Sequence, residues 1–215
     1  MTILLVCATY KEAEGFIKNF GLKKLSKQYL FHGEVVQNKV FLIITGIGTV
    51  FTAYLLTKVI YDLHPDIVIN FGIAGSYNIN ILPGEIVKVV SDEFADIGFF
   101  NNYKFIKSDN NENNIFYPEF DFNSKTYDKL KPAKAITVNI SHFWQKFLMS
   151  GNSILPDIET MEGAAVFMIC NKERINCIQI RAISNNVGVF DKAKWDINDS
   201  LSNLNNIIFL IISEL

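Results

Sequence analysis

Short runs of uninterrupted apolar residues recur along this chain and alternate with segments of helical period. Residues 3–8 form one such run and turn at 9–12. Residues 29–36 and 40–45 read as two strands joined at Gln37-Asn38-Lys39. Residues 66–71 make a further apolar strand running into Gly72-Ile73-Ala74-Gly75, and 85–90, 135–139 and 176–183 complete the set. Residues 49–63 have helical length and are apolar on nearly every face, which predicts a helix buried on more than one side. Met161, Ala164, Ala165 and Met168 recur at i, i+3, i+4 and i+7, predicting a helix over about 160–173. Ile197, Leu201, Leu204, Ile208, Ile211 and Leu215 form one stripe of a closing amphipathic helix, with Asp196 as N-cap. Continuous rather than alternating apolar strands, interleaved with helices, call for a central sheet covered on both faces. The predicted fold class is α/β, in a single domain over 1–215.

In such sheets, sites form where strands end and the chain changes direction. Four strand exits carry small or polar residues that a plain connection would not need: 9–12, 45–49, 70–76 and 181–186.

Composition narrows the function. The chain has 215 residues, 49% of them hydrophobic, with a formal net charge of −2, so it offers no basic field for nucleic acid or an anionic membrane. The apolar segments at 2–8 and 207–212 are too short to span a bilayer, and the first lacks the features of a signal peptide. The expected setting is the cytoplasm. Cys7, Cys170 and Cys177 sit in apolar surroundings and read as reduced core residues; His32, His64 and His142 form no ligand pattern. No metal and no cofactor is expected. Residues 101–114, rich in Asn, Asp and Lys, read as an exposed excursion.

Three stretches can carry chemistry. Glu12 follows the first strand and can take a proton from a water beside a sugar carbon, or can simply favour a helix dipole, with Glu14 the better candidate for that ordinary role. Glu162 opens a helix whose next residues are small. A glutamate there can accept both vicinal hydroxyls of a ribose and place negative charge near a developing oxocarbenium centre, or again serve the dipole. Arg181 lies inside an apolar strand and needs a carboxylate partner, for which Glu162 is the candidate. Asn185, at that strand's end, offers one acceptor and two donors, matching a protonated purine N7 and an O6 better than an adenine. Gly46 and Gly48 can approach a ligand through backbone N–H groups or merely turn the chain.

Taken together, the chain resembles the nucleoside phosphorylase/nucleosidase superfamily, in the branch holding methylthioadenosine/S-adenosylhomocysteine nucleosidases and futalosine hydrolases. The motifs in order are Thr45-Gly46-Ile47-Gly48, Asn70 to Gly75, Met161-Glu162-Gly163-Ala164-Ala165 and Arg181-Ala182-Ile183-Ser184. The resemblance implies a three-layer αβα sandwich around a mixed, mostly parallel sheet, a homodimer and no metal. It implies Glu12, Glu162 and Asn185 as catalytic residues. Met161, Arg181, Gly46, Ile73, Ala74 and Gly75 would bind substrate. His142 and Phe143 follow the strand at 135–139 and are candidates to line the base pocket by that position. Asn185 where adenine-specific members carry aspartate, Trp195, and residues 89–98 all look like the futalosine branch, which releases hypoxanthine. Arginines occur only at 174 and 181, so the fork with which phosphorylases hold phosphate near the first strand is missing, and hydrolysis is expected. In 186–194 the chain has Asn186 and Phe190 where that branch is expected to carry an aromatic residue and an arginine. Lys192 or Lys194 can face a 5′ carboxylate there, or are ordinary solvated surface lysines.

Overall fold

The computed structural model describes residues 1–25, 29–101, 104–107, 114–141, 156–188 and 197–215. Its first half contains β1 (Thr2–Cys7), α1 (Tyr10–Asn19), β2 (Lys23–Lys24), β3 (Leu30–Val35), β4 (Asn38–Ile44), α2 (Thr49–Leu63), β5 (Ile67–Ser76) and β6 (Ile86–Phe94). Then come β7 (Gly98–Asn101), β8 (Lys104–Lys107), β9 (Ile115–Phe116), α3 (Lys125–Lys129), β10 (Lys131–Thr137), β11 (Ile158–Thr160), α4 (Gly163–Glu173), β12 (Asn176–Asn186) and α5 (Ile197–Glu214). The main sheet runs β11-β10-β6-β12-β5-β1-β4-β3-β2, with β9 beside β6, while β7 and β8 form a separate two-stranded sheet among the described residues.

Strand β1 shows why the strands read as continuous apolar runs. Ile3, Leu5 and Cys7 point into one core with Ala13 and Phe16 of α1 and Leu201, Leu204, Ile208 and Ile211 of α5. Leu4 and Val6 point into a second core with Leu56, Val59 and Ile60 of α2 and Val166, Phe167 and Cys170 of α4. The sheet is thus covered on both faces, and the three-layer αβα expectation holds. Each such side chain contributes roughly 1.5–3 kcal/mol on burial, which is what closes the layers. The sheet is mixed. Parallel pairs run through β12, β5, β1 and β4 and through β6, β10 and β11, but β12 meets β6 antiparallel, as do β3 and β4.

Several boundaries differ from the sequence expectation. The β3–β4 turn falls on Val36 and Gln37, both at positive φ (47° and 73°), one residue earlier than predicted. Asn38 is drawn into β4 because its side chain is used there. Its Oδ1 accepts from the Met1 ammonium (3.1 Å) and its Nδ2 donates to the Ile212 carbonyl (3.2 Å). Strands β5 and β12 run on together to Ser76 and Asn186, their backbone groups pairing beyond the apolar stretch. The excursion over 101–114 includes β8 paired with β7, an element the polar composition hid. Helix α2 buries Thr52, Leu56, Val59 and Ile60, but Val50, Phe51 and Tyr54 are 76%, 62% and 65% exposed. Its all-round apolarity was expected to be covered, and this chain covers one side only. Asp196, Trp195, Phe190, Lys192 and Lys194 lie outside the described residues.

The arrangement that matters most for function is around β5. One of its edges pairs with β12 along the whole length. The other pairs with β1 only from Ile67 to Asn70, and with β11 only at Gly75 and Ser76. Between the end of β1 and the end of β11, that edge has no strand partner among the described residues over Phe71–Ala74. A doubly wound sheet places its crevice at such a split.

Candidate active site

Glu12 occupies the gap. It is the N3 residue of a capping box at the start of α1: Thr9 Oγ1 accepts from the Glu12 N–H, and Glu12 reaches back to Thr9. Its Oε2 accepts from both the Thr9 N–H and the Thr9 hydroxyl, each at 2.8 Å. Its Oε1 accepts from the Ile73 N–H at 3.1 Å, a backbone donor that the open edge of β5 leaves without a strand partner. The ordinary helix-start role and the site role therefore coincide in one side chain. Oε2 is saturated, and Oε1 keeps one lone-pair direction. Glu14 instead pairs with Lys18 on the exposed face of α1.

Glu162 is the N-cap residue of α4 and makes no side-chain cap bond of its own. Its Oε1 accepts from the Gly48 N–H at 2.9 Å. Gly46 and Gly48 both sit at positive φ (87° and 101°), a turn that needs glycine and that aims the Gly48 amide at Glu162. Burial pushes the Glu162 carboxyl above its ordinary range, while the Arg181 guanidinium and the Gly48 N–H pull it back.

Asn185 comes from the far side. At Ser184 the β12–β5 register slips, so that Ile183 faces Ala74 and Asn185 faces Gly75. A bulge of this kind re-aims side chains, and both Ser184 and Asn185 line the pocket, which strict alternation would forbid. The Ser184 hydroxyl donates to Asn185 Oδ1 (2.7 Å), and Asn185 Nδ2 donates to the Asn186 carbonyl (3.0 Å). One lone pair and one N–H remain for a ligand.

These groups surround one cavity of ≈ 290 Å³ lined also by Thr9, Ile47, Ile73, Ala74, Gly75, Met161 and Ser141. That is the lower end of the range for small-molecule sites. Of the residues expected from the sequence, Glu12, Glu162, Asn185, Met161, Ile73, Ala74 and Gly75 meet here. Gly46 stands behind Ile47 and serves the turn. His142 and Phe143 lie outside the described residues. Arg181 is only 2% exposed and does not line the cavity. Nor does it pair with Glu162 as expected: its Nε donates to Gln179 Oε1 (2.8 Å) and its Nη2 to Asn70 Oδ1. Those neutral acceptors hold the guanidinium in place, and its charge reaches Glu162 across space.

Gly72 shows how close Arg181 comes to the chemistry. A methyl group there would lie 2.4 Å from Glu12 Oε1 and 2.7 Å from Arg181 Nη1, so the two charged heads share the space over this glycine. Sequence reasoning missed Glu159, a pocket residue whose Oε2 accepts from the Tyr77 hydroxyl at 2.6 Å. Burial and that carboxylate push the Tyr77 hydroxyl well above its usual range. Its place one residue before Thr160-Met161-Glu162 was the available signal. Among the described residues no group of three or more His, Cys, Asp and Glu could hold a metal ion, the three cysteines are free and buried, and no helix is long and apolar enough to cross a membrane.

Three buried carboxylates, Glu12, Glu159 and Glu162, and the Asn185 amide converging on one cavity at the strand ends define a small-molecule enzyme of the α/β class. The chain belongs to the phosphorylase superfamily, whose description residues 2–139 match. It is 26% identical over 191 residues to a 5′-methylthioadenosine/S-adenosylhomocysteine nucleosidase of Buchnera aphidicola, covering 81% of this chain and 78% of that one. The same activity names a Helicobacter pylori structure with a TM-score of 0.86 and 18% identity, covering 100% of this chain and 99% of its own. The native futalosine hydrolase of Helicobacter pylori superposes with a TM-score of 0.85 at 18% identity, over 100% and 98% of the two chains. These relatives and neighbours are nucleosidases, that is, N-glycosyl hydrolases.

Proposed function

We propose that this protein hydrolyses the N-glycosidic bond of futalosine, releasing hypoxanthine and dehypoxanthine futalosine, a step of menaquinone biosynthesis. The observation that carries the reading is the meeting of Glu12, Glu162 and Asn185 on one cavity, with an amide rather than a carboxylic acid at the base end. A water held on the open lone pair of Glu12 Oε1 attacks C1′ and gives its proton to that carboxylate. Glu162, whose Oε1 is partly occupied by Gly48, accepts the ribose 2′ and 3′ hydroxyls with its remaining lone pairs, and Met161 packs against the sugar. As the C1′–N9 bond breaks, its electron pair goes to the purine. N7 takes a proton from solvent, while Asn185 accepts from N7–H and donates to O6. The oxocarbenium-like sugar is flanked by both carboxylates, where their charge counts most.

The second reading is a methylthioadenosine/S-adenosylhomocysteine or aminofutalosine nucleosidase, favoured by the name of the Buchnera relative. A third, a nucleoside sensor without turnover, is opposed by the presence of both carboxylates at the cavity. Two copies of the chain would associate through the exposed apolar side of α2, in keeping with a homodimer in the cytoplasm. Incubation with futalosine, inosine and methylthioadenosine in phosphate-free buffer decides among these. Fast hypoxanthine release from futalosine supports the proposal, and adenine from methylthioadenosine supports the second reading. Turnover of none of the three leaves the sensor, and turnover only after phosphate is added makes the protein a phosphorylase. Glu12→Gln should lower kcat by roughly 10²–10⁴-fold; near-normal turnover would remove Glu12 from the mechanism.

A further inference from the structure

Beneath the cavity lies a buried polar chain that the mechanism above does not use. Asp92 is fully buried on β6. It accepts from Gln179 Nε2 (3.0 Å) and from the hydroxyls of Thr137 (2.9 Å) and Thr160 (3.4 Å). Gln179 Oε1 in turn accepts from Arg181 Nε, and Arg181 shares the space over Gly72 with Glu12. On the other side, Thr137 Oγ1 accepts from the Ala164 N–H (2.8 Å) and Thr160 Oγ1 from the Gly163 N–H (3.2 Å), the opening amides of the helix that Glu162 caps. Gly163 leaves room for the chain: a methyl there would stand 2.1 Å from Asp92 Oδ2 and 2.3 Å from Gln179 Oε1.

The order of groups is dictated by chemistry. An ionised aspartate only accepts and an arginine only donates, so a glutamine between them must turn its NH2 to Asp92 and its carbonyl to Arg181. The same carboxylate takes the hydroxyl hydrogens of Thr137 and Thr160, which leaves their lone pairs for the helix amides. We propose that Asp92 is a positioning residue for the nucleosidase reaction. Through Gln179 it holds Arg181 in place beside Glu12 over Gly72, and through the two threonines it holds the turn that carries Glu162. The proposal rests on the nucleosidase reading but assigns to Asp92 no contact with substrate.

Asp92→Asn removes the charge that makes the order obligatory. The new amide can face Gln179 with its carbonyl or with its NH2, and in the second orientation Gln179 must turn its own NH2 toward Arg181, so the arrangement that fixes Arg181 is no longer the only one. The expected result is a kcat lower by about tenfold with KM changed less than about twofold, since the reacting groups and not the ligand contacts are displaced. The double variant Asp92→Asn/Gln179→Glu exchanges the acid and the amide. Volume, net charge and a fixed donor–acceptor order from residue 92 through residue 179 to Arg181 return, and kcat should recover to within about threefold of wild type. The Arg181 Nε–H resonance gives a readout independent of turnover: shifted in the single variant, restored in the double. A folded single variant with wild-type kcat overturns the proposal, as does a folded double variant as slow as the single. If the wild-type protein releases no base from any nucleoside, the nucleosidase reading fails by itself. The resonance then decides, and its being unchanged in Asp92→Asn overturns the positioning role.

Discussion

Replacing Gly72 by alanine puts a carbon where Glu12 and Arg181 already stand. The new methyl would be 2.4 Å from Glu12 Oε1 and 2.7 Å from Arg181 Nη1. Ordinary contact begins near about 3.5 Å, so the carboxylate head must withdraw by about 1 Å. Neither head can do so freely. Glu12 is held by the Ile73 N–H and by Thr9, and Arg181 by Gln179 and Asn70. Misplacing a reacting group by that distance costs about 10²-fold in rate, and overpacking costs about 1–3 kcal/mol of stability. The expected variant is folded, melts at a lower temperature and turns over about 10²-fold more slowly. Its affinity for hypoxanthine should be little changed, because Asn185 faces Gly75, away from the clash. Base release followed by ultraviolet absorbance gives kcat, and titration with hypoxanthine gives the base affinity. A folded Gly72→Ala protein with kcat within about threefold of wild type would show that the position of Glu12 over this glycine does not matter.

Asn185→Asp should shift preference toward adenine nucleosides, because an acid at this place can protonate the leaving base; unchanged selectivity in a competition between inosine and methylthioadenosine would place the discrimination elsewhere. Burial, more than any neighbour, lifts the Asp92 carboxyl from 3.8 to about 6, against the pull of its Gln179 and threonine donors. With the folded pKa the higher, its stabilising contribution is complete below about pH 3.8 and is lost as pH rises through about 6, roughly 3 kcal/mol in all. Urea midpoints of wild type should therefore fall relative to those of Asp92→Asn between about pH 4 and 7, and parallel profiles would contradict a buried charge. The proposed dimer through α2 predicts twice the chain mass by light scattering for wild type and a monomer for Phe51→Glu, which places a carboxylate on the exposed apolar side of that helix. A dimeric variant would exclude that face as the contact, and a monomeric wild type would exclude the dimer.

The elements that the chain announced were those whose burial is decided by their own pattern. Strands β1, β5 and β12 are apolar on both faces because both faces are covered, and α5 shows one stripe because only one side meets the sheet. Elements whose reason lies in a distant partner were not legible: Asn38 enters β4 on account of Met1 and Ile212, and β7 pairs with a segment that composition marked as loop. The site divides in the same way. Glu12, Glu162 and Asn185 are short-range features, each beside a strand or helix end. The Arg181–Gln179–Asp92 chain joins residues nearly ninety positions apart, and no local spacing hints at it. Arg181 was therefore given the wrong partner, since a buried arginine calls for neutralisation without saying that it can arrive through an intervening amide. Glu159 was passed over because a single strand carboxylate looks like surface until β11 is seen to close on β5.

The strand β5 is bonded to β12 along one side throughout, while on the other side β1 holds Ile67–Asn70, β11 holds Gly75 and Ser76, and Glu12 takes the Ile73 N–H between them. Its backbone is held at Ile73, Ala74 and Gly75 by the pairing with Ala182, Ile183 and Asn185 of β12. The floor of the cavity, Ile73 to Gly75, is consequently the part of the pocket least able to adapt to a new ligand. The walls are where a change of substrate would more readily be accommodated: the bulge at Ser184 and Asn185, the turn at Ile47, and Ser141. A directed-evolution library that spared β5 and varied those walls would search most of the accessible chemistry while leaving the folding core untouched.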